Sequence, residues 1–194
     1  MLHSTYADVI RPQTRGYSLT YNALLVIGGS LLVALCAQLA FHLPFSPVPV
    51  TMQTFGVILV GALLGSKRGA LSMIAYIAEG GAGLPVFAGG KFGFIVLLGP
   101  TGGYLLGFVA AAFIVGWFAE RGWDRRCWST VVAMSLGTIV IYICGLAWLV
   151  RFVGVELVFK AGLYPFLPGA AVKIGLASIL LPSGWKLLGH RKAD

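Results

Sequence analysis

Long apolar stretches that carry almost no charge limit the fold of this chain more than any other feature. Residues 21–43 and 128–150 contain no Asp, Glu, Lys or Arg. A helix that crosses a bilayer needs roughly 20 apolar residues, and each stretch supplies them. Only 10% of the 194 residues are charged, whereas soluble domains average about 25%. The chain is therefore predicted to fold within a lipid bilayer.

The pattern predicts an all-α, polytopic membrane protein, a bundle of six transmembrane helices in a single domain over residues 1–194. The bundle occupies about residues 21–188, and residues 1–20 and 189–194 are cytoplasmic tails. Two spans are short and should tilt or lean on neighbouring helices, and Pro182 should kink the last one. The predicted spans are residues 21–43, 54–64, 69–78, 104–119, 128–150 and 170–188.

Basic residues predict the orientation of the bundle. With a cytoplasmic N-terminus, ten of the fourteen Lys and Arg residues fall on the inner side. This agrees with the positive-inside rule and places both termini in the cytoplasm. The net charge of +8 is thus explained by topology and by attraction to anionic membrane lipid, and we expect no nucleic-acid partner. The outer side receives Lys91, Arg151, Lys160 and Lys173.

Recognisable catalytic machinery is missing from the sequence. It contains neither HExxH nor GxSxG, and His3, His42 and His190 are far apart. We therefore expect no enzyme activity, no catalytic residues, no metal site and no cofactor. The string AGGKF around Lys91 fails as a phosphate loop because the first glycine and the final Ser or Thr of that motif are absent. Energy for any active transport would come from a partner or a gradient.

Charged residues at or near membrane depth on the outer half are candidates for function, and they are Glu79, Lys91, Lys160 and Lys173. Glu79, Lys91 and Lys173 are candidates for ligand binding. Lys173 lies about one turn inside span six, where the positive helix end also favours an anion. The alternative is that its ammonium extends to the lipid headgroups. Glu79 precedes the glycine-rich segment 80–103 and could pair with Lys91 or Lys173, or reach outer water. Irregular backbone at this depth must be buried or line a cavity, so this segment is a candidate binding wall.

Polar, aromatic and small residues supply further candidates. Gln53 and Thr51 could hydrogen-bond a ligand amide. The alternative is that Thr51 caps the helix N-terminus and that Gln53 is solvated. Phe87 and Tyr104 could line an apolar pocket. The small residues of span one allow close helix approach, either within the bundle or with another protein's helix. These small residues are Ser30, Ala34 and Ala37.

Four strings occur together and in this order in the chain: PVPVTMQTFGVILVGALLG, GLPVFAGG, LLGPTGGYLLGF and PFLPGAAVK. In these strings the chain resembles the BioY family, the biotin-binding S components of energy-coupling factor transporters. The resemblance covers roughly residues 21–188. It implies a six-helix bundle with a biotin site near the extracellular face. It also places Gln53, Phe87, Gly90 and Tyr104 near the ligand and makes Lys173 a polar ligand contact.

The sequence departs from the family pattern at one position. The residue three before the lysine is often Asp in the family, suited to the ureido N–H groups of biotin, and here it is Ala170. Glu79 or Gln53 is the candidate replacement.

The resemblance further implies partners: a transmembrane T component that faces Ser30, Ala34 and Ala37, and two ATPase subunits, in the cytoplasmic membrane. Three alternatives stay open from sequence: an S component for another vitamin, a membrane enzyme that acts on lipid, and a purely structural membrane subunit.

Overall fold

The computed structural model describes residues 5–9 and 17–190, which form an almost entirely helical protein. A two-stranded antiparallel pair, β1 (Ala40–Phe41) and β2 (Val50–Thr51), interrupts the helices. Single 3₁₀ turns cover Ala88–Gly90, Trp123–Arg125 and Tyr164–Phe166. The helices are α1 (Tyr6–Val9), α2 (Tyr17–Gln38), α3 (Gln53–Leu64), α4 (Ser66–Gly81), α5 (Phe94–Leu98), α6 (Gly102–Ala119), α7 (Cys127–Val153), α8 (Val158–Gly162) and α9 (Leu167–His190).

Six helices of this described part, α2, α3, α4, α6, α7 and α9, match the six predicted spans in order. Four segments are long and apolar enough to cross a membrane: Leu19–Gln38, Gly102–Ala119, Cys127–Val153 and Val158–Leu188. The protein is therefore a multi-pass membrane protein. Full crossings by α3 and α4 remain predictions, as does the orientation of the termini. The basic residues 11, 15, 191 and 192 and most of both predicted tails lie outside the described residues.

Helix α2 ends five residues earlier than predicted, at Gln38 instead of Leu43. The chain leaves the helix at Ala40 because β1 pairs with β2, with Ala40 opposite Thr51 and Phe41 opposite Val50. The prolines of segment 44–49 cannot continue the helix. The pairing instead gives hydrogen-bond partners to the backbone groups of the residues on either side of that segment. The connector after α7 also differs from the prediction, since it contains α8 and a 3₁₀ turn.

Small residues bring α3, α4 and α6 into backbone contact. A Cβ added at Gly61 would lie 2.7 Å from the carbonyl oxygen of Ala112, and one at Gly69 would lie 3.0 Å from the Cα of Gly61. Contacts this close leave no space for larger side chains. By contrast, Leu24 and Leu35 of α2 are 65% and 69% exposed, as expected for side chains that face lipid.

Polar contacts gather at the end of the bundle where α4 begins and α6 ends. The Tyr6 hydroxyl of α1 donates to the carbonyl oxygen of Leu181 in α9. The Tyr6 ring centroid lies 4.3 Å from that of Trp185. Asp8 of α1 pairs with Arg68 of α4 at 2.8 Å. Helix α1 therefore joins the start of α4 to the far half of α9.

Candidate functional site

A cavity of about 250 Å³ lies at the opposite end of the bundle from α1. It is close to the lower end of the roughly 300–1,000 Å³ range of small-molecule sites. Its walls come from the proline-rich segment and the start of α3, from the glycine-rich segment, and from α6, α7 and α9. The apolar and aromatic lining comprises Pro47, Val48, Pro49, Phe87, Ala88, Ile95, Val96, Gly99, Pro100, Tyr104, Leu105, Phe108, Tyr142 and Phe166, and the polar lining comprises Thr51, Gln53, Thr54, Lys91, Thr101 and Lys173.

Lys173 projects from the second turn of α9 toward the start of α3. Its ammonium donates one hydrogen bond to the carbonyl oxygen of Thr51 and one to Thr54 Oγ1, at 2.8 Å for the latter. A lysine ammonium has three N–H donors, so one remains for a ligand. The side chain is half-buried and lines the cavity. The structure therefore turns this lysine inward, as the ligand-contact hypothesis requires.

Gln53 begins α3 and lies buried in the cavity wall with both ends of its carboxamide engaged. Its Nε2 donates to the Tyr76 hydroxyl at 2.6 Å. Its Oε1 accepts from the Thr51 hydroxyl at 3.0 Å, and that hydroxyl oxygen also accepts from the Gln53 backbone N–H at 3.2 Å. The alternative of a solvated Gln53 is wrong, because the side chain is 6% exposed and is hydrogen-bonded at both ends. Thr51 accepts the N–H of the first residue of α3, and the ligand contact of Gln53 stays a prediction.

Phe87 is the buried anchor of the glycine-rich segment. Its ring stands directly on Gly80, where an added Cβ would lie 2.2 Å from the ring. Backbone bonds close the following turn, from Phe87 N–H to the Lys91 carbonyl and from Gly90 N–H to the Phe87 carbonyl. Gly89 and Gly90 have positive φ angles of 68° and 73°, which favour glycine. Gly90 itself does not line the cavity, so its contribution is to the shape of the turn.

Tyr104 lines the cavity from the first turn of α6. Its hydroxyl donates to the carbonyl oxygen of Gly162 at 2.8 Å. Two glycines make room for it: a Cβ at Gly145 would lie 2.3 Å from the ring, and one at Gly162 would lie 2.6 Å from the hydroxyl. The packing of α6 against α7 and α8 therefore fixes the position of this aromatic wall.

Glu79 and Lys91, the remaining candidates, lie apart. Lys91 is exposed and lines the cavity. Glu79 does not line it, and it pairs with neither Lys91 nor Lys173. Its Oε1 accepts a hydrogen bond from Ser30 Oγ at 2.8 Å, and its Oε2 is buried without a hydrogen-bond partner in the described part of the chain. The predicted ion pair with Lys91 or Lys173 is wrong, because the Glu79 carboxylate contacts Ser30 of α2 instead.

The small residues of α2 are packed inside this chain. Ser30 and Ala37 are fully buried and Ala34 is 8% exposed. They serve packing within the bundle, the first of the two alternatives considered from sequence. The expected partner surface does not lie on these residues as the structure arranges them, because α3 and α4 already cover them.

Several lining residues were not predicted. Thr54 follows Gln53 directly in PVPVTMQTF. Its place next to a predicted ligand contact could have indicated that it lines the same cavity. Phe108 and Tyr142 sit inside long apolar helices, where an aromatic residue that lines a cavity has the same sequence pattern as one in a packed core. Phe166 precedes α9 in a connector whose structure was not predicted from the sequence.

The chain shows similarity to a described protein family. A family model described as the BioY family matches residues 9–190. A protein from Pyrococcus horikoshii named "Probable biotin transporter BioY" is 45% identical over 134 residues, 69% of this chain and 78% of that protein. "Biotin transporter BioY" of Thermotoga maritima is 35% identical over 161 residues, with 82% and 88% of the two chains covered. "Biotin transporter BioY2" of Lactococcus lactis is 34% identical over 182 residues, with 91% and 94% covered.

A solved structure shares the fold. It is the S-component for biotin from an ECF-type ABC transporter, and it superposes with a TM-score of 0.76. The match covers 90% of this chain and 95% of that one at 24% sequence identity.

Proposed function

Because the chain belongs to the BioY family, we propose that it takes up biotin as the substrate-binding S component of an energy-coupling factor transporter. The observation that supports this most directly is the cavity in which Lys173, Gln53, Phe87 and Tyr104 meet. Most of the residues that line the cavity lie in the four strings that carry the resemblance to the family.

The chemistry of the cavity suits biotin. Biotin has one carboxylate, one ring urea with two N–H donors and an acceptor oxygen, and an apolar bicyclic body with an aliphatic tail. The cavity offers the ammonium groups of Lys173 and Lys91, the carboxamide of Gln53 and a largely apolar and aromatic wall. A few convergent polar groups in an apolar pocket are typical of sites that bind such ligands.

Energy for uptake is proposed to come from partner subunits, a transmembrane T component and two ATPases. The reason lies in the sequence, since AGGKF around Lys91 lacks the residues of a phosphate loop. The protein acts in this proposal as a binding subunit and not as an enzyme. Because Ser30, Ala34 and Ala37 are buried, we place the T-component contact on other residues.

The proposed orientation puts the cavity on the extracellular side of the cytoplasmic membrane. Both termini are then cytoplasmic, and six helices cross the bilayer. The distribution of Lys and Arg residues supports this arrangement.

The direct test is ligand identification followed by calorimetry. We expect mass spectrometry of the purified wild-type protein to find biotin, and titration of the ligand-free protein to show saturable biotin binding. Riboflavin and thiamine serve as matched competitors for the alternative vitamins. A protein that binds another vitamin, or that carries only lipid and never binds biotin, would contradict the proposal.

A further inference from the structure

Tyr76 lies immediately behind the cavity wall without lining the cavity. It belongs to the last third of α4, is fully buried, and packs edge-on against Phe87 with ring centroids 5.5 Å apart. Its hydroxyl contacts two parts of the wall at once. It lies 2.6 Å from Gln53 Nε2 and 3.0 Å from the carbonyl oxygen of Val86. A buried hydroxyl between two wall segments is placed to orient them.

The donors and acceptors in this contact admit one arrangement. A carbonyl oxygen only accepts, so the single proton of the Tyr76 hydroxyl is donated to Val86. The hydroxyl oxygen must then accept from Gln53, which turns the NH₂ group of the carboxamide toward Tyr76. The hydroxyl of Thr51 donates to Gln53 Oε1 from the other side. The two contacts agree, and together they exclude the flipped carboxamide.

Each end of the fixed carboxamide keeps one unused position. A carboxamide has two N–H donors and two oxygen lone pairs, and Tyr76 and Thr51 use one of each. Within the described residues one donor and one acceptor of Gln53 are therefore unused, and Gln53 lines the cavity. A ring urea has an N–H donor beside a carbonyl acceptor, so it complements such a pair.

We propose that Tyr76 is a positioning residue for ligand recognition, whose hydroxyl fixes the Gln53 carboxamide for a ring urea and ties the Val86–Phe87 wall to the same point. The proposal rests on the proposed function for the identity of the ligand. Tyr76 acts through Gln53 and makes no contact with the ligand itself.

A double-mutant cycle tests this coupling. Tyr76→Phe removes the hydroxyl and keeps the ring against Phe87. In the full-length protein, we expect it to raise the dissociation constant for biotin roughly fivefold or more, as for a lost hydrogen bond in a buried network. In a Gln53→Ala background the same change should alter the constant less than about twofold, because the group that Tyr76 positions is gone. The readout is isothermal titration calorimetry in detergent.

Tyr21→Phe provides the matched control. The Tyr21 hydroxyl also donates to a backbone carbonyl, that of Ala7, at 2.9 Å, but at the opposite end of the bundle. We expect biotin affinity to be unchanged in this variant. A Tyr76→Phe penalty of equal size with and without Gln53 would show that the hydroxyl serves only the loop, and would overturn the proposal.

The two proposals fail in different ways. Wild-type protein that does not bind biotin contradicts the proposed function. Wild-type protein that binds biotin while the cycle shows no coupling contradicts only the role of Tyr76. Should Tyr76→Phe not fold, NMR of the wild-type protein decides, with the Gln53 side-chain signals assigned by comparison with Gln53→Ala. Slow hydrogen exchange of that amide supports the proposal, and exchange at the solvent rate overturns it.

Discussion

Lys173 carries the clearest expectation at the scale of single residues. Its ammonium is held by the Thr51 carbonyl and Thr54 Oγ1 with one donor left for the cavity. We expect Lys173→Ala to weaken biotin binding at least tenfold, about 1.4 kcal/mol, in calorimetric titration. Lys160→Ala is the control, because Lys160 is an exposed lysine of α8 that does not line the cavity. Unchanged affinity in folded Lys173→Ala protein would remove Lys173 from the site.

Gly80 is expected to be intolerant of even one methyl group. A Cβ there would lie 2.2 Å from the Phe87 ring, so the ring must leave its position and the cavity wall with it. We expect Gly80→Ala to lower thermal stability, by roughly 1–3 kcal/mol as for overpacked cores, and to weaken biotin binding.

Gly28→Ala is the matched change in α2, where nothing lies within 4 Å of an added Cβ, and we expect no loss there. Equal behaviour of the two variants in thermal unfolding and calorimetry would contradict the packing argument.

At the scale of elements, the carboxylate of the residue that follows α6 caps the start of α4. Glu120 Oε1 accepts from the backbone N–H and from the hydroxyl of Ser66, both at 2.8 Å. Helix starts have unpaired N–H groups and a partial positive charge, which a carboxylate stabilises. We expect Glu120→Ala to cost about 1–2 kcal/mol of stability, measured by thermal unfolding. Glu120→Gln keeps an acceptor and should lose less, and an equal loss in both variants would contradict a capping role.

The attachment of α1 to α4 should depend on pH. Partial burial alone would raise the pKa of Asp8, but hydrogen bonds from Arg68 and Thr5 together hold it below the ordinary value of 3.8. A carboxylate with a lowered pKa in the folded state stabilises that state above its unfolded pKa, and this contribution disappears as pH falls through the folded pKa.

We therefore expect wild-type protein to exceed Asp8→Asn in thermal stability at neutral pH, by about 1 kcal/mol or less for a partly exposed pair. The difference should vanish in acid. Glu156→Gln, an exposed carboxylate far from α1, should show no such difference. A gap between wild type and Asp8→Asn that persists well below pH 3.8 would contradict the assignment.

Elements were predictable where a single physical signal determines them. The six main helices, α2, α3, α4, α6, α7 and α9, followed from the positions of the apolar runs, and the irregular segment after α4 followed from its glycines. The early end of α2 was not predictable, because β1 ends the helix by pairing with a strand about ten residues further along the chain. Helix α8 was not predicted either. The contact of Glu79 with Ser30 was missed for a related reason: spacing shows that a charge lies at membrane depth, but it does not show which neighbouring helix that charge faces.

At the scale of the whole molecule, the native cysteines can report orientation. Cys127 is exposed at the start of α7, whereas Cys36 and Cys144 are half-buried in α2 and α7. If both termini are cytoplasmic, Cys127 lies inside. With Cys36 and Cys144 replaced by Ala, we expect a membrane-impermeant maleimide to label Cys127 in inverted vesicles and not in intact cells.

The control for sidedness is Glu156→Cys in a cysteine-free background. Glu156 is exposed between α7 and α8, so it should be labelled from outside. The reverse pattern for both positions would invert the proposed topology.

The cavity as a whole was predictable in part. Motif residues gave Gln53, Phe87, Tyr104 and Lys173, which share the lining. The aromatic residues contributed by the middle of long helices were not predictable, since their selection depends on how α6, α7 and α9 pack in three dimensions.

Helix α3 has only 12 residues, a rise of about 18 Å in a hydrocarbon layer of about 30 Å. A helix that crossed the whole layer would have extended its own backbone beyond the present start of α3. Here α3 begins only at Gln53, and the cavity at this end of the helix is lined by Gln53, the proline-rich segment and Phe87. The cavity therefore lies at the end of a helix that is shorter than the hydrocarbon layer is thick. Lengthening α3 by two turns at its start would put helical backbone where β2 and the proline-rich segment now lie, and we expect this change to abolish the cavity.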